Sequence, residues 1–399
     1  TALPTPSVAT AATSGTLVYL KDANVWLANG DGSGDRALTT DGTPAEPYTS
    51  PSQSDGGIIA AGHLDEIVRM DQSGRVLNRM DPKPLPSSVE GHPVDGNLLD
   101  VAISPDGTLI AYTMAKFLNP PGASPGYRYA TGYTEAARFT PAASRGTTYH
   151  WNPSWVGNDR TLQSGGYGQQ VMVDDLGPEA PFHWFDDEDV VGGDIWTLTT
   201  DIDDAELSPD GQRVAAVRGY DEDSAIAWYA VNGDVLHGRP TTPTALCELP
   251  GEFVTGPTWS PDGSALAWDG PEGIWVHAAG DCTSPADLLV PHGSSPDWSP
   301  APLAPPTDPE AITNVKRPSV TGTPRVGRTL TAKPGTWSPD WARTTFQWRR
   351  DGKPVAGADG RTYRLTARDR GRSLSVAVTA VLPRVDSVVA VSRPVRVRR

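Results

Sequence analysis

Three stretches of this chain are near-copies of one another: Ile103–Tyr112 (ISPDGTLIAY), Leu207–Val217 (LSPDGQRVAAV) and Trp259–Trp268 (WSPDGSALAW). An internal repeat constrains a fold more than any single motif. Each copy is one structural unit that cannot bury its apolar face alone and must stack on its neighbours. Every copy sets Ser-Pro-Asp-Gly ahead of an apolar strand. Proline presets the first turn residue, aspartate accepts hydrogen bonds from nearby amides, and glycine takes the positive φ that closes a hairpin. These aspartates therefore read as turn residues and not as catalytic carboxylates. Weaker copies are Thr49–Ala60, Asn152–Leu162 and Asp297–Pro300. Aligned on Pro51, Pro105, Pro153, Pro209, Pro261 and Pro300, the six anchors are spaced by 54, 48, 56, 52 and 39 residues.

Most units then carry a second hairpin, as in Val25–Leu38, Ile67–Met80, Ile226–Val235 and Ile274–Val290. Four short strands in about 40–50 residues is the pattern of a propeller blade, and six anchors predict six blades. The last anchor has no hairpin after it, and Thr16–Leu20 and Val25–Leu38 have no anchor before them. Strands from the two ends are therefore expected to share one sheet and clasp the ring.

The Ser-Pro-Asp-Gly strand and the following hairpin, Asn24–Thr39 (NVWLANGDGSGDRALT), resemble the TolB-type six-bladed propeller family over about residues 15–300. The resemblance implies protein docking at one face or at the central channel. Related propellers also serve as accessory domains of peptidases and as lyases. The third and fourth units depart from the pattern through long insertions.

Charge divides the chain. Residues 314–399 hold 19 Lys/Arg against 5 Asp/Glu, whereas residues 1–313 hold 14 against 43. Such asymmetry predicts two surfaces with different partners. Six prolines between Ser299 and Pro318 mark the boundary as a stiff linker. The expected organisation is a disordered lead-in at 1–14, a propeller at 15–300, a Pro-rich linker at 301–317 and a basic module at 318–399. The fold class is all-β. In the basic module, Gly322, Pro324, Gly327, Pro334-Gly335-x-Trp337, Trp348, Asp351-Gly352 and Tyr363 resemble bacterial immunoglobulin-like β-sandwich domains, with Trp348 as the core tryptophan. That resemblance implies adhesion or spacing.

The opening residues resemble the start of a mature secreted chain after signal removal, so the expected location is extracellular or cell-surface. Cys247 and Cys282 fit one disulfide in such a chain; two separate buried thiols are the alternative. No apolar run reaches roughly 18 residues, so no membrane span is expected.

Two insertions supply candidate sites. Lys116–Trp151 carries Tyr127, Tyr129, Tyr133, Phe139, Tyr149, His150 and Trp151 among Pro and Gly. Tyrosine-rich loops on a rigid scaffold make binding surfaces, and with Trp184 these residues are the candidate ligand contacts. The second insertion, Pro178–Asp194, bunches Asp186, Asp187, Asp189 and Asp194 near His183. Such carboxylates suit calcium, although their spacing does not match an EF-hand loop. A solvated acidic loop is the alternative. Gly122-Ala-Ser124-Pro-Gly126 fits G-x-S-x-G by letter, yet it lacks the strand-to-helix setting of a nucleophile elbow. The seven histidines are scattered and form no zinc motif.

The reading is a secreted or cell-envelope binding protein without catalysis. Its propeller recognises a protein or glycan, and its basic domain tethers it to an anionic envelope polymer. Nucleic acid is not expected, because the aromatic interleaving of single-strand binders is missing. Self-association of the acidic and basic parts is a further expectation. The alternatives are a propeller-based polysaccharide lyase or hydrolase, and a structural subunit of an extracellular assembly.

Overall fold

The computed structural model describes residues 14–87, 89, 91–119, 121, 124–138, 146–165, 169–177, 179–192, 201–305, 311–340, 342–382 and 385–398. Apart from Ser14, the expected lead-in lies outside them. The chain divides into two compact units, Thr1–Pro305 and Pro306–Arg399.

The first unit contains six four-stranded antiparallel sheets among the described residues. Their first strands are Ser294–Ser299, Tyr48–Gln53, Leu98–Ile103, His150–Val156, Ile202–Leu207 and Thr255–Trp259. Each first strand contacts the next, and Ser294–Ser299 contacts Tyr48–Gln53, so the circle closes. The unit is a β-propeller. Closure uses both ends of the repeat region: Ser294–Ser299 pairs antiparallel with Thr16–Lys21. Ala301 and Ala304, assigned to the linker by their proline-rich surroundings, bond back to this unit. Thr16 Oγ1 donates to the Ala301 carbonyl at 3.0 Å, and the Ala304 amide donates to Gln72 Oε1 at 2.6 Å.

The apolar faces of neighbouring sheets pack together. Ile103, Ile110 and Tyr112 of the third sheet meet Ile67 and Met80 of the second. Trp259 and Leu266 of the sixth meet Trp228 and Ile226 of the fifth. Burial on this scale drives the stacking, at roughly 25 cal/mol per Å² of apolar surface. Indoles then add fixed links between sheets. Trp155 Nε1 donates to the Ala102 carbonyl at 2.9 Å, and Trp259 Nε1 to the Glu206 carbonyl at 3.1 Å.

The Ser-Pro-Asp-Gly segments make one turn three times. Ser104 Oγ donates to Asp106 Oδ1 at 2.7 Å, the Thr108 amide to the same oxygen at 2.9 Å, and the Gly107 amide to the Ser104 carbonyl at 2.8 Å. Gly107 sits at φ 74°, Gly211 at 70° and Gly263 at 68°, where a side chain would be strained. Two of the weak anchors belong to a different position. Pro51 and Pro153 lie inside first strands, in register with Pro257 and Pro296, and not in the turn that holds Pro105, Pro209 and Pro261. The true register runs through Ser50, Asp100, Asn152, Asp204, Gly256 and Ser295, spaced by 50, 52, 52, 52 and 39 residues. Proline occurs at both positions, and the sequence alone does not separate them.

The second unit is also β, with strands in three sheets among the described residues. Thr313–Lys316, placed in the linker by its neighbourhood, is a strand of this unit paired with Thr336–Ser338. Trp348 is fully buried among Leu330, Leu374, Val376 and Val378. Its ring stacks on Tyr363 at 5.5 Å, and its Nε1 donates to the Gly360 carbonyl at 2.9 Å.

Candidate functional site: an acidic cavity with an aromatic approach

All six first strands of the propeller carry a bulge, where two residues face one and the register slips. Ser50, Asn152, Asp204, Gly256 and Ser295 take positive φ there, between 41° and 59°. A bulge re-aims side chains, and six at matching depth turn a set of polar groups toward one cavity of about 550 Å³. Its carboxylates are Asp55, Asp100, Asp204, Glu206 and Asp297, and among the described residues no Lys, Arg or His lines it.

These carboxylates stitch neighbouring sheets. The Asn152 amide donates to Asp100 Oδ2 at 3.1 Å. The Gly256 amide donates to Asp204 Oδ2, and the Gln53 amide to Asp297 Oδ2. Glu206 Oε1 accepts from the Trp259 amide at 2.9 Å and from Thr258 Oγ1 at 3.2 Å. Ser50 and Ser52 play the same part, accepting from the amides of Val101 and Ile103.

Confinement raises their proton affinity. Burial first, then the charge of Asp297, pushes Glu206 up to about 8. Burial and the neighbouring Asp203 push Asp204 up to about 7. Burial pushes Asp100 and Asp297 up to about 6, against the hydrogen bonds from Asn152 and Gln53 that favour their charged forms. At neutral pH the cavity thus holds a mixture of protonated and ionised carboxyls.

An aromatic series ends at Trp151, the residue before Asn152 of the cavity wall. Leu109–Leu118 and Gly126–Glu135 form a long hairpin whose outer part extends beyond the strand Leu98–Ile103, since Leu98 already pairs with Met114. On that overhang, Phe117 stands opposite Tyr127, with ring centroids 5.4 Å apart. Tyr127 lies 6.3 Å from Tyr129, and Tyr129 lies 5.5 Å from Trp151. Phe117 is 56% exposed and Tyr127 60%, so the outer end is open to a ligand. At the inner end, Trp151 Nε1 donates to both oxygens of Asp203 at 3.2 Å, and Asn152 Nδ2 reaches Asp203 Oδ1 at 3.1 Å.

The other candidate residues fall elsewhere. Tyr149 is exposed, and its amide donates to the Tyr129 carbonyl at 3.0 Å; His150 follows it at the start of the fourth sheet. Tyr133 is turned inward, bonded through its hydroxyl to Asp174 Oδ2 and Thr161 at 2.9 Å, and burial raises its proton affinity strongly. Trp184 is buried between the fourth and fifth sheets, with Nε1 donating to the Thr241 carbonyl at 3.0 Å. Phe139 and Asp194 lie outside the described residues.

Asp186, Asp187 and Asp189 are committed locally. Asp186 caps the short helix Asp187–Val191 and forms a capping box with Asp189. Asp187 is buried against Arg218, which reaches it at 2.8 Å. Asp189 Oδ2 lies 2.7 Å from His183 Nε2. One ligand atom each from His183, Asp186 and Asp189 lies within 4.8 Å of the others. Cys247 and Cys282 are disulfide-bonded, joining the last strand of the fifth sheet to a loop of the sixth.

The sequence pointed to the aromatics and missed the cavity carboxylates. The signal was present as the interval of 52 from Asp100 to Asn152 to Asp204. Anchoring on the turn prolines hid it.

No family model matches this chain, and no curated protein matches it. Solved structures similar to it are β-propellers. TolB from Acinetobacter baumannii is 17% identical with a TM-score of 0.46, the match covering 72% of this chain and 67% of that one. Putative TolB from Agrobacterium tumefaciens is 14% identical with a TM-score of 0.44, covering 71% and 91%. The Myceliophteria thermophila Cps50 (Swd1) β-propeller domain is 10% identical with a TM-score of 0.42, covering 70% and 87%. No helix among the described residues is long and apolar enough to cross a membrane.

Proposed function

We propose that the six sheets are the blades of a TolB-like propeller, that the second unit is an immunoglobulin-like sandwich, and that the chain is a secreted or cell-envelope interaction protein. One observation carries the reading: the aromatic series Phe117–Tyr127–Tyr129–Trp151 ends on Asp203, beside a cavity that bears carboxylates and, among the described residues, no basic group. Aromatic faces attract cations by about 0.5–2 kcal/mol, and ionised carboxylates reinforce them. The partner that fits is a protein segment carrying lysine or arginine. The prolines and Trp155 of the cavity wall accept the aliphatic stem, and the acids receive its charged head. The basic sandwich tethers the chain to an anionic envelope polymer.

Calorimetric titration of the full chain with a lysine-rich peptide at about pH 7.5 tests the recognition arm. Binding is expected to weaken by about tenfold or more in the Phe117→Ala, Tyr127→Ala double variant. It should weaken again near pH 5.5, where more of the acids are protonated. Equal affinity in the variant rejects the aromatic approach. Co-sedimentation with bacterial cell wall at about 50 and about 500 mM salt tests the tether, since the screening length falls below about 5 Å at the higher value.

A hydrolase or lyase on the same face is the second reading. It is favoured by Glu206, whose carboxyl burial and then the Asp297 charge push up to about 8, into the range of a general acid at neutral pH. Polysaccharide cleavage that disappears in Glu206→Gln would establish it; a chain that cleaves none of the uronate or neutral polysaccharides tried would remove it.

A further inference from the structure

The second unit holds a groove of about 440 Å³ at the place where its chain crosses between sheets. Strand Thr313–Lys316 belongs to one sheet and Ser319–Gly322 to another, so Arg317 and Pro318 make the crossing. The facing wall is the segment Arg393–Val395, which leads into the short strand paired with Ser373–Leu382. Lys316 and Arg317 stand on one wall and Arg393 on the other; among the described residues the remaining lining is Ser, Val and Pro, with no carboxylate.

The crossing is held in place by the Pro334-Gly335-x-Trp337 segment. A Cβ at Gly335 would lie 2.0 Å from the Lys316 carbonyl oxygen, so only glycine permits this approach. Trp337 Nε1 donates to the Pro334 carbonyl at 3.0 Å and fixes the segment. The three cations are exposed, and no ion pair engages them among the described residues. Asp351 and Asp369 of this unit are occupied by Arg372 and Arg350.

We propose that this groove binds an anionic polymer of linked phosphate groups; the inference rests on the tether reading and gives it a site and a ligand class. Unpaired cations on opposite walls with a neutral floor suit a chain running between them. A phosphate is tetrahedral and offers oxygens to both walls at once, whereas a planar carboxylate directs its two oxygens to one side. Guanidinium groups bind such oxygens in pairs, and lysine adds a point charge.

The test is fluorescence anisotropy of the full chain with a labelled inorganic polyphosphate, across about 50–300 mM salt. Lys316→Gln, Arg317→Gln and Arg393→Gln together are expected to lower affinity by about tenfold or more and flatten the salt slope by about two to three. A charge-matched control, Arg361→Gln, Arg364→Gln and Arg368→Gln, should lose less than about threefold. Polygalacturonate should bind at least about tenfold more weakly than polyphosphate. All six sites are exposed, and unchanged thermal midpoints confirm intact folds. Equal losses in the two triple variants overturn the groove in favour of diffuse charge. Equal binding of polygalacturonate overturns the phosphate assignment. A chain that sediments with cell wall yet ignores polyphosphate overturns the groove and leaves the tether standing. A chain that binds polyphosphate through the groove yet ignores cell wall supports the groove and removes the tether.

Discussion

Asp106 and Asp210 lie in surface turns, and Asp100 and Asp204 lie six residues before them in the same repeats. Their acidities move in opposite directions. Asp210 is held below the usual carboxylate range by hydrogen bonds from Ser208 and the Gln212 amide. Burial works the other way at Asp106, and bonds from Ser104 and Thr108 overcome it. In Asp100 and Asp204, burial outweighs the single backbone bond each receives from the next sheet. One residue type serves both places, and solvent access decides which effect wins. The outer acids are stable as anions and build turns. The inner acids hold the ring together at an electrostatic cost, and that cost leaves them ready for a cation.

The largest expected effect is on the inner set. Glu206→Ala strands the Trp259 amide and the Thr258 hydroxyl, and should cost about 2–3 kcal/mol in chemical denaturation at pH 6. A loss below about 0.5 kcal/mol would end the claim that these acids join sheets.

Next is the pH dependence. A carboxyl whose folded pKa is raised binds more protons folded than unfolded, so its contribution is fully present below about pH 4 and is lost as pH rises. For Glu206 the loss is complete above about 8. Glu206→Gln keeps an acceptor oxygen and removes the charge. The variant should therefore gain on the wild type in thermal midpoint between pH 5 and 8.5. Parallel curves would contradict the raised affinity of Glu206.

The outer set behaves in reverse and more weakly. Asp262 is exposed, its affinity lowered by bonds from Ser264 and Ser260, so solvent screening keeps its share small. Asp262→Ala should cost about 1 kcal/mol at pH 7, with the deficit shrinking as pH falls below about 4. A deficit that grows on acidification would reverse the comparison. Tyr127→Ala is the smallest case: stability should shift by less than about 0.5 kcal/mol, because the ring is exposed, and only binding should suffer.

The repeat and its turn chemistry were legible because they depend on neighbours along the chain. Proline, aspartate and glycine at consecutive positions specify a turn wherever it sits, and alternating apolar residues specify the strands that follow. The aromatic character of the Lys116–Trp151 insertion was legible too. Its order in space was not: Tyr133 turned inward to Asp174, whereas Tyr127 and Tyr129 stayed on the ladder. All three share one face of the strand Gly126–Glu135; Tyr133 meets Thr161 and Asp174 of the fourth sheet, whereas Tyr127 lies on the overhang, so position along the hairpin makes that choice.

By itself, then, the sequence determined a β-repeat chain with an acidic first part and a basic second part. Only the tertiary structure decided which acids matter. Asp100, Asp204, Glu206 and Asp297 come from three separate strands and meet because the bulges turn their side chains to one axis. Their raised proton affinity arises from enclosure by strands about 50 residues apart. No local window contains that enclosure, since burial belongs to the closed ring and not to any repeat within it.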